Sequence, residues 1–229
     1  MTTTSTYAFS PATSSLVLSA FARIGIRRTE ITAQHMADAE QESNLVQVEI
    51  SNLTPNLWLD ELYTLTLTAG TASYALPARL VAFQAPAIRI TSGGVSYDRI
   101  IWPYSTYEYQ SIANKAQEGP PTAYWLSMTT TPEIFFWPVP DANSTYEFRV
   151  RMLRQVQDAS LANGTNLDMP FRGLDMYVAK LAHRLARLYA RDLEQQRKMD
   201  AQEAWNVFAT TDKEQTPTYL NVSTNAYWQ

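Results

Sequence analysis

The sequence predicts an α+β protein. A helical bundle is built from an N-terminal and a C-terminal helix pair, an antiparallel β-sandwich or partly closed barrel is inserted between the pairs, and an extended C-terminal tail follows. Three observations carry this expectation. The apolar period is helical as far as Leu53, changes to two shortly afterwards, and becomes helical again after Pro170. Each flanking helix pair, at roughly 45 residues, is too small to hold a core alone, so the two are expected to pack together. From Gln215 onward the chain carries no charge and no clean period. The expected boundaries are 10–56 with 168–213 for the bundle, 57–167 for the β module and 214–229 for the tail.

The first helix is expected to begin at Ser10 as N-cap with Pro11 in the first turn. Leu16, Val17, Ala20, Phe21 and Ile24 follow at helical spacing, and Gly25 is a natural residue just past the end. A second helix starts at Thr32 and places Met36, Ala39, Ser43, Val46, Ile50 and Leu53 on one stripe before Pro55. The short connection IRRTEI suits an αα-hairpin.

In LYTLTLTAGTASYALP, Tyr63, Leu65 and Leu67 alternate with threonines, and Gly70 marks a turn to a second short strand. Strands at 87–91 and 95–101 flank Ser-Gly-Gly, a strong turn signal. Ser105 and Glu108 have capping-box spacing, so one helix interrupts the β region and ends by Gly119-Pro120-Pro121. Strands resume at 123–128, 133–137 and 144–154. The last of these puts Tyr146, Phe148, Val150 and Met152 on one side and Glu147, Arg149 and Arg151 on the other. Pro138 and Pro140 with Asp141-Ala-Asn-Ser read as a short loop that makes the last two strands antiparallel neighbours. After Pro170, Leu174, Tyr177, Val178, Leu181, Leu185 and Leu188 form a helical stripe. A new N-cap at Asp192 predicts a kink, with the helix continuing through Met199, Ala204, Trp205 and Phe208.

Composition bounds the function. Hydrophobic residues make up 45% and charged residues 17%, which excludes wholesale disorder, and no apolar run reaches the roughly 18 residues of a membrane span. Thr, Ser and Ala dominate the first 15 residues, so no export signal is expected, and the absence of cysteine removes disulfides and thiolate metal sites. The four Asn-x-Ser/Thr matches, at Asn52, Asn143, Asn163 and Asn221, are expected by chance in a Thr-rich chain. A net charge of −4 argues against a dedicated nucleic-acid binder.

A catalytic set is hard to find. His35 and His183 are the only imidazoles and lack zinc-site spacing, so both are expected at the surface or in packing. No phosphate-cradling glycine motif is present, and no cofactor or metal is expected. Asp60 with Glu61, or Asp141 with Glu147, are the carboxylate pairs a glycoside hydrolase would need, which keeps open a virion-associated cell-wall hydrolase or carbohydrate-binding tail component. Tyr124, Trp125, Phe136 and Trp137 have the alternation of core aromatics, although such rings also stack on sugars or bases.

Two features point to partners. Lys180, Arg184, Arg187 and Arg191 fall on one helical stripe opposite the leucines, a solvated face that can also meet a charged partner or passing DNA. The tail holds Tyr219, Leu220, Val222, Tyr227 and Trp228 without a single charge, which suits docking on a neighbour by adding a strand to an exposed edge.

Four stretches, AGTASYALP, YSTYEYQSIANKAQEGPPTAYWL, PEIFFWPVPDANSTYEFRVRM and DLEQQRKMDAQEAWNVFATTDKE, resemble the head-to-tail adaptor (head completion, tail accessory) proteins of tailed bacteriophages, particularly the short-tailed ones. With the preceding helices the resemblance covers 10–214, and Gly-Pro-Pro-Thr-Ala-Tyr-Trp followed by Phe-Trp-Pro-Val-Pro-Asp is its most distinctive part. It implies a non-enzymatic ring of about twelve copies. The helical part and tail of such a ring bind beneath the phage portal protein, and the ring extends the DNA channel without sequence-specific binding and docks the next tail component, a nozzle or tube. Portal or neighbour contact then falls to the cationic stripe and the tail aromatics, and downstream docking to Asn143, Arg149 and Arg151. The expected location is the virion neck, assembled in the bacterial host cytoplasm, with no membrane involvement. A tail-tube or fibre-attachment protein differs from this only in its neighbours.

Overall fold

A computed structural model describes residues 9–53, 57–162 and 164–212. Helices α1 (Thr13–Arg23), α2 (Ala33–Leu53), α4 (Leu174–Tyr189) and α5 (Glu194–Thr211) share one core, and between α2 and α4 lie eight strands and a short helix α3 (Thr106–Ser111), most of whose strands build a second core.

Helix α1 starts two residues later than its proline suggests. The Ser10 hydroxyl accepts from the Asn166 amide, and the Thr13 N–H and hydroxyl both donate to the Thr165 carbonyl, so a distant loop replaces the expected serine cap. Its end is as expected: Gly25 has φ +86°, with Gly25 N–H donating to Ala22 and Ile26 N–H to Phe21, the paired bonds of a Schellman motif. At the start of α2, Thr32 Oγ1 accepts from the His35 N–H while His35 Nδ1 accepts from the Thr32 N–H, so a histidine takes the reciprocal capping role usually held by Glu. Helices α1, α2 and α5 each pack on α4. Tyr177 of α4, wholly buried, donates its hydroxyl to Ser43 of α2 at 2.7 Å.

The chain does not run on from α4 into α5 as one kinked helix. It breaks at Ala190, makes a short turn over Arg191–Leu193 and folds back: Gly173, just before α4, lies against Phe208 near the end of α5. Asp192 makes no side-chain cap, and a turnaround lets Phe208 and Trp205 join the core that α4 needs filled.

The β module is two four-stranded sheets. Strands β1 (Asp60–Leu67), β8 (Thr145–Arg154), β3 (Leu80–Ser92) and β4 (Val95–Ile100) form the first, in that order and antiparallel throughout. The second has the order β2 (Ser73–Ala75), β7 (Glu133–Trp137), β6 (Ala123–Ser127) and β5 (Trp102–Pro103), with β5 parallel to β6. Ile88, Ile90, Tyr146, Phe148, Val150 and Met152 from the first sheet meet Tyr124, Ile134 and Phe136 from the second in one core, with the Phe136 and Phe148 rings edge to face at 5.2 Å. The arrangement is a sandwich and not a closed barrel. Gly93 and Gly94, both at positive φ between the paired Ser92 and Val95, make the tight turn that the sequence announces.

One expected pairing is corrected. Strands β7 and β8 are not hairpin neighbours, since they lie in different sheets. Pro138 and Pro140 have no N–H to extend a ladder, and Val139 spends both backbone groups on Gln117 and Gly119, so the chain leaves one sheet and enters the other. The capping box of α3 is present as read, with Glu108 N–H on Ser105 Oγ at 3.2 Å and Ser105 N–H on Glu108 Oε2 at 2.7 Å. The helix is six residues long and stops well before Gly119-Pro120-Pro121.

Candidate docking surfaces

The cationic stripe of α4 splits in two. Lys180 and Arg184 turn inward: Lys180 Nζ pairs with Glu49 of α2 and lies 5.1 Å from the Trp205 ring centre, and Arg184 spans Glu42 and Glu49 at 3.1 and 2.9 Å. Burial alone would raise the Glu49 carboxyl, but the hydrogen bonds from Lys180 and Arg184 outweigh it and hold it below the ordinary range. These two cations therefore join α4 to α2. Arg187 keeps only a long contact of 3.9 Å to Glu194, and Arg191 is exposed with no ion-pair partner among the described residues. The outward charge is Arg187 near the end of α4 and Arg191 in the turn beyond it, so the expected four-residue helical stripe is cut short where the helix ends at Tyr189. Periodicity placed all four opposite the leucines, but it could not show that α2 brings acids to meet half of them.

His35 is the cap of α2 and packs edge-on to Tyr189 at 4.6 Å. His183 lines a small cleft with Glu49, Lys180, Lys198, Ala201 and Gln202, where burial and then Arg187 and Lys198 hold its pKa below the usual imidazole value. Both are used in packing, as expected.

The carboxylates nominated for hydrolysis have structural partners. Asp60 accepts both the Nε and an Nη of Arg151, Glu61 accepts from Arg79, and Glu147 accepts from Arg149. Asp141 accepts from the Tyr146 hydroxyl at 2.8 Å and from Asn143, which holds its carboxyl below the usual range, the opposite of what a proton donor needs. Among the described residues no three or more His, Asp or Glu side chains are grouped to hold a metal ion, and no helix is long and apolar enough to cross a membrane.

Asn143 sits exposed in the loop between the sheets, its backbone and side-chain amides both donating to Asp141. Arg149 and Arg151 project from β8 on the face away from the core, half-exposed to exposed and paired with Glu147 and Asp60. Together with Arg89–Asp98 these pairs make that face of the first sheet a charged layer. Tyr219, Leu220, Val222, Tyr227 and Trp228 lie outside the described residues.

Sequence reading missed the two flanks of the sandwich. On one, β4 and β5 are the edge strands of the two sheets, joined through the single buried residue Ile101. All six residues of β4 are exposed, and Val95, Ile100 and Trp102 are 66, 68 and 69% accessible. On the other flank lie β1 and β2, with Leu62 outward. The signal for the first was present in SYDRIIW, where apolar residues stand on both sides of the alternation.

The site residues thus lie in two packed cores, a charged sheet face and an apolar flank, with the nominated carboxylates and both imidazoles engaged in holding the fold. The family model of the SU10 adaptor protein matches residues 13–221, and the chain belongs to that family, the head-to-tail adaptors of bacteriophages. No curated protein matches it.

Proposed function

We propose that this chain is one subunit of a ring that sits beneath the portal in the virion neck. In this reading the ring holds about twelve copies. It extends the DNA channel without reading sequence and offers a docking surface to the next tail component. The helical unit, 10–56 with 168–213, and the tail, 214–229, face the portal, and the β module, 57–167, faces the downstream nozzle or tube protein. Subunits are made in the host cytoplasm and join the neck there. The observation that carries this is membership of an adaptor family over nearly the whole chain.

The physical support is that two stiff cores give a fixed shape, and repetition by symmetry multiplies weak contacts into a lasting assembly. Arg187 and Arg191 are the helical cations free for the portal or for DNA phosphates, and Arg149, Arg151 and Asn143 are at hand for the downstream partner. The test is to mix the purified full chain with purified portal and image the product. A ring of this chain under the portal supports the reading, and a portal left bare, or occupied elsewhere, overturns it.

A further inference from the structure

The two edges of the first sheet match each other. Its strands alternate in direction from β1 through β8 and β3 to β4, so β4 runs opposite to β1. In a ring of about twelve copies, neighbours are related by a turn of roughly 30°, too small to reverse a strand, so the sense of each strand is kept from copy to copy. A neighbour brought alongside therefore presents its β1 antiparallel to β4, the geometry that continues the sheet.

Natural edges are blunted by proline, charge or a bulge, yet β1 pairs over eight residues without interruption and carries Leu62, Tyr63, Thr64, Leu65, Thr66 and Leu67 in a row without a charge. The charges of β4 are Asp98, which Arg89 of its own sheet holds, and Arg99. The pairs Ile88–Arg99 and Ile90–Tyr97 put Arg99 and Tyr97 on the core side of the first sheet, yet Tyr97 is 55% accessible. Counting across shared rungs, Phe148 pairs with both Leu65 and Ile88, and Ile88 pairs with Arg99. A neighbour at the same height then sets Tyr97 against Leu67 and Ile100 against Thr64. Asp98 meets Thr66 and Arg99 meets Leu65, so no like charges oppose.

We propose that copies of this chain join head to tail through this seam, β4 of one copy adding to β1 of the next. This deepens the ring reading and rests on it. A seam about 20 Å long covers less than the roughly 1,200 Å² of a lasting pair. Two free copies accordingly hold each other weakly, and the ring closes when a symmetric partner gathers many copies.

The test is a charge swap at Ile100 and Thr64, both exposed, in the full chain assembled on portal and counted by imaging. Ile100→Lys with Thr64→Lys places like charges on every seam and is expected to lower ring yield about tenfold, while Ile100→Lys with Thr64→Glu restores it. Unchanged melting of the isolated variants shows that folding is not the cause; if the like-charged pair melts lower, the comparison moves to the exposed Ser96 and Thr68, opposed in the same register, as Ser96→Lys with Thr68→Lys against Ser96→Lys with Thr68→Glu. Rings that form equally with like and opposite charges overturn the seam and leave the ring reading standing. Failure of the unmodified chain to form any ring overturns both. In a Thr64→Cys variant bearing a photoreactive crosslinker, attachment to 95–100 of another copy supports the seam, and attachment to the tail, 214–229, overturns it.

Discussion

Arg154, the last residue of β8, holds both carboxylate oxygens of Asp168 with its two terminal nitrogens, at 2.5 and 2.9 Å. Asp168 also accepts the Gln157 N–H, and its main-chain carbonyl accepts the Trp58 indole, so one residue ties together the exit from the sheet, the linker and the entry to the β module. Asp168→Ala leaves the guanidinium largely buried with a 3.7 Å contact to Glu61 and one hydrogen bond to the Gln155 carbonyl, and is expected to cost about 2 kcal/mol, read as a lower urea midpoint. A double-mutant cycle with Arg154→Ala should return a coupling above about 1 kcal/mol.

The same pair fixes a pH dependence. The Arg154 hydrogen bond holds the Asp168 carboxyl below its usual value, so the folded state releases this proton more readily than the unfolded chain does. That contribution is complete above the ordinary carboxylate range and is lost as pH falls through the lowered folded value. Asp168→Asn should flatten the acid limb of the stability profile relative to the unmodified protein, and an unchanged limb would show that other carboxylates set it.

Gln47 of α2 is buried, and neither atom of its amide has a hydrogen-bond partner among the described residues. An unsatisfied amide costs more than an apolar group of similar shape, so Gln47→Met should raise stability by about 1–2 kcal/mol, or roughly 2–8 °C in melting temperature. A lower melting temperature would mean that the amide has a partner in solution.

Gly173 admits no side chain where it stands. A Cβ there comes within 2.8 Å of Met169 Cγ and Sδ and 3.3 Å of Phe208. Met169 can swing aside but Phe208 is core, so Gly173→Ala should cost about 1–2 kcal/mol, with part recovered in combination with Met169→Ala.

The divided stripe on α4 separates folding from capture. Arg187→Glu with Arg191→Glu should leave the melting temperature nearly unchanged, within about 0.5 kcal/mol, and weaken retention of portal in a pull-down. Lys180→Glu with Arg184→Glu places new acids against Glu42 and Glu49 and should destabilise the helical core by about 3 kcal/mol or more. Portal capture that ignores Arg187 and Arg191 would remove them from the contact.

Local signals were legible where local chemistry decides the outcome. The Schellman end at Gly25, the Gly93-Gly94 turn and the Ser105–Glu108 box all rest on residues a few positions apart. What was not legible depends on partners distant in sequence. Alternation in 145–154 reads the same whichever sheet the strand joins, so β7 and β8 looked like a hairpin. The α4 stripe looked uniform because Glu42 and Glu49 arrive from more than a hundred residues away. The exposed β4 flank was missed for the same reason: Tyr97 has the pattern of a buried residue, and whether anything covers it depends on elements distant in sequence.

The β module leaves the helical unit after α2 and returns to it before α4, so two covalent strands of chain hold it, and hydrogen bonds from Ala159 to Asn44 and from Leu161 to Glu40 lash the returning strand to α2. A body hung from one thread swivels freely; one hung from two separated threads has a single axis about which it tilts. A force applied to the sandwich would therefore reach the bundle through both connections at once and tilt it, instead of being dissipated in rotation.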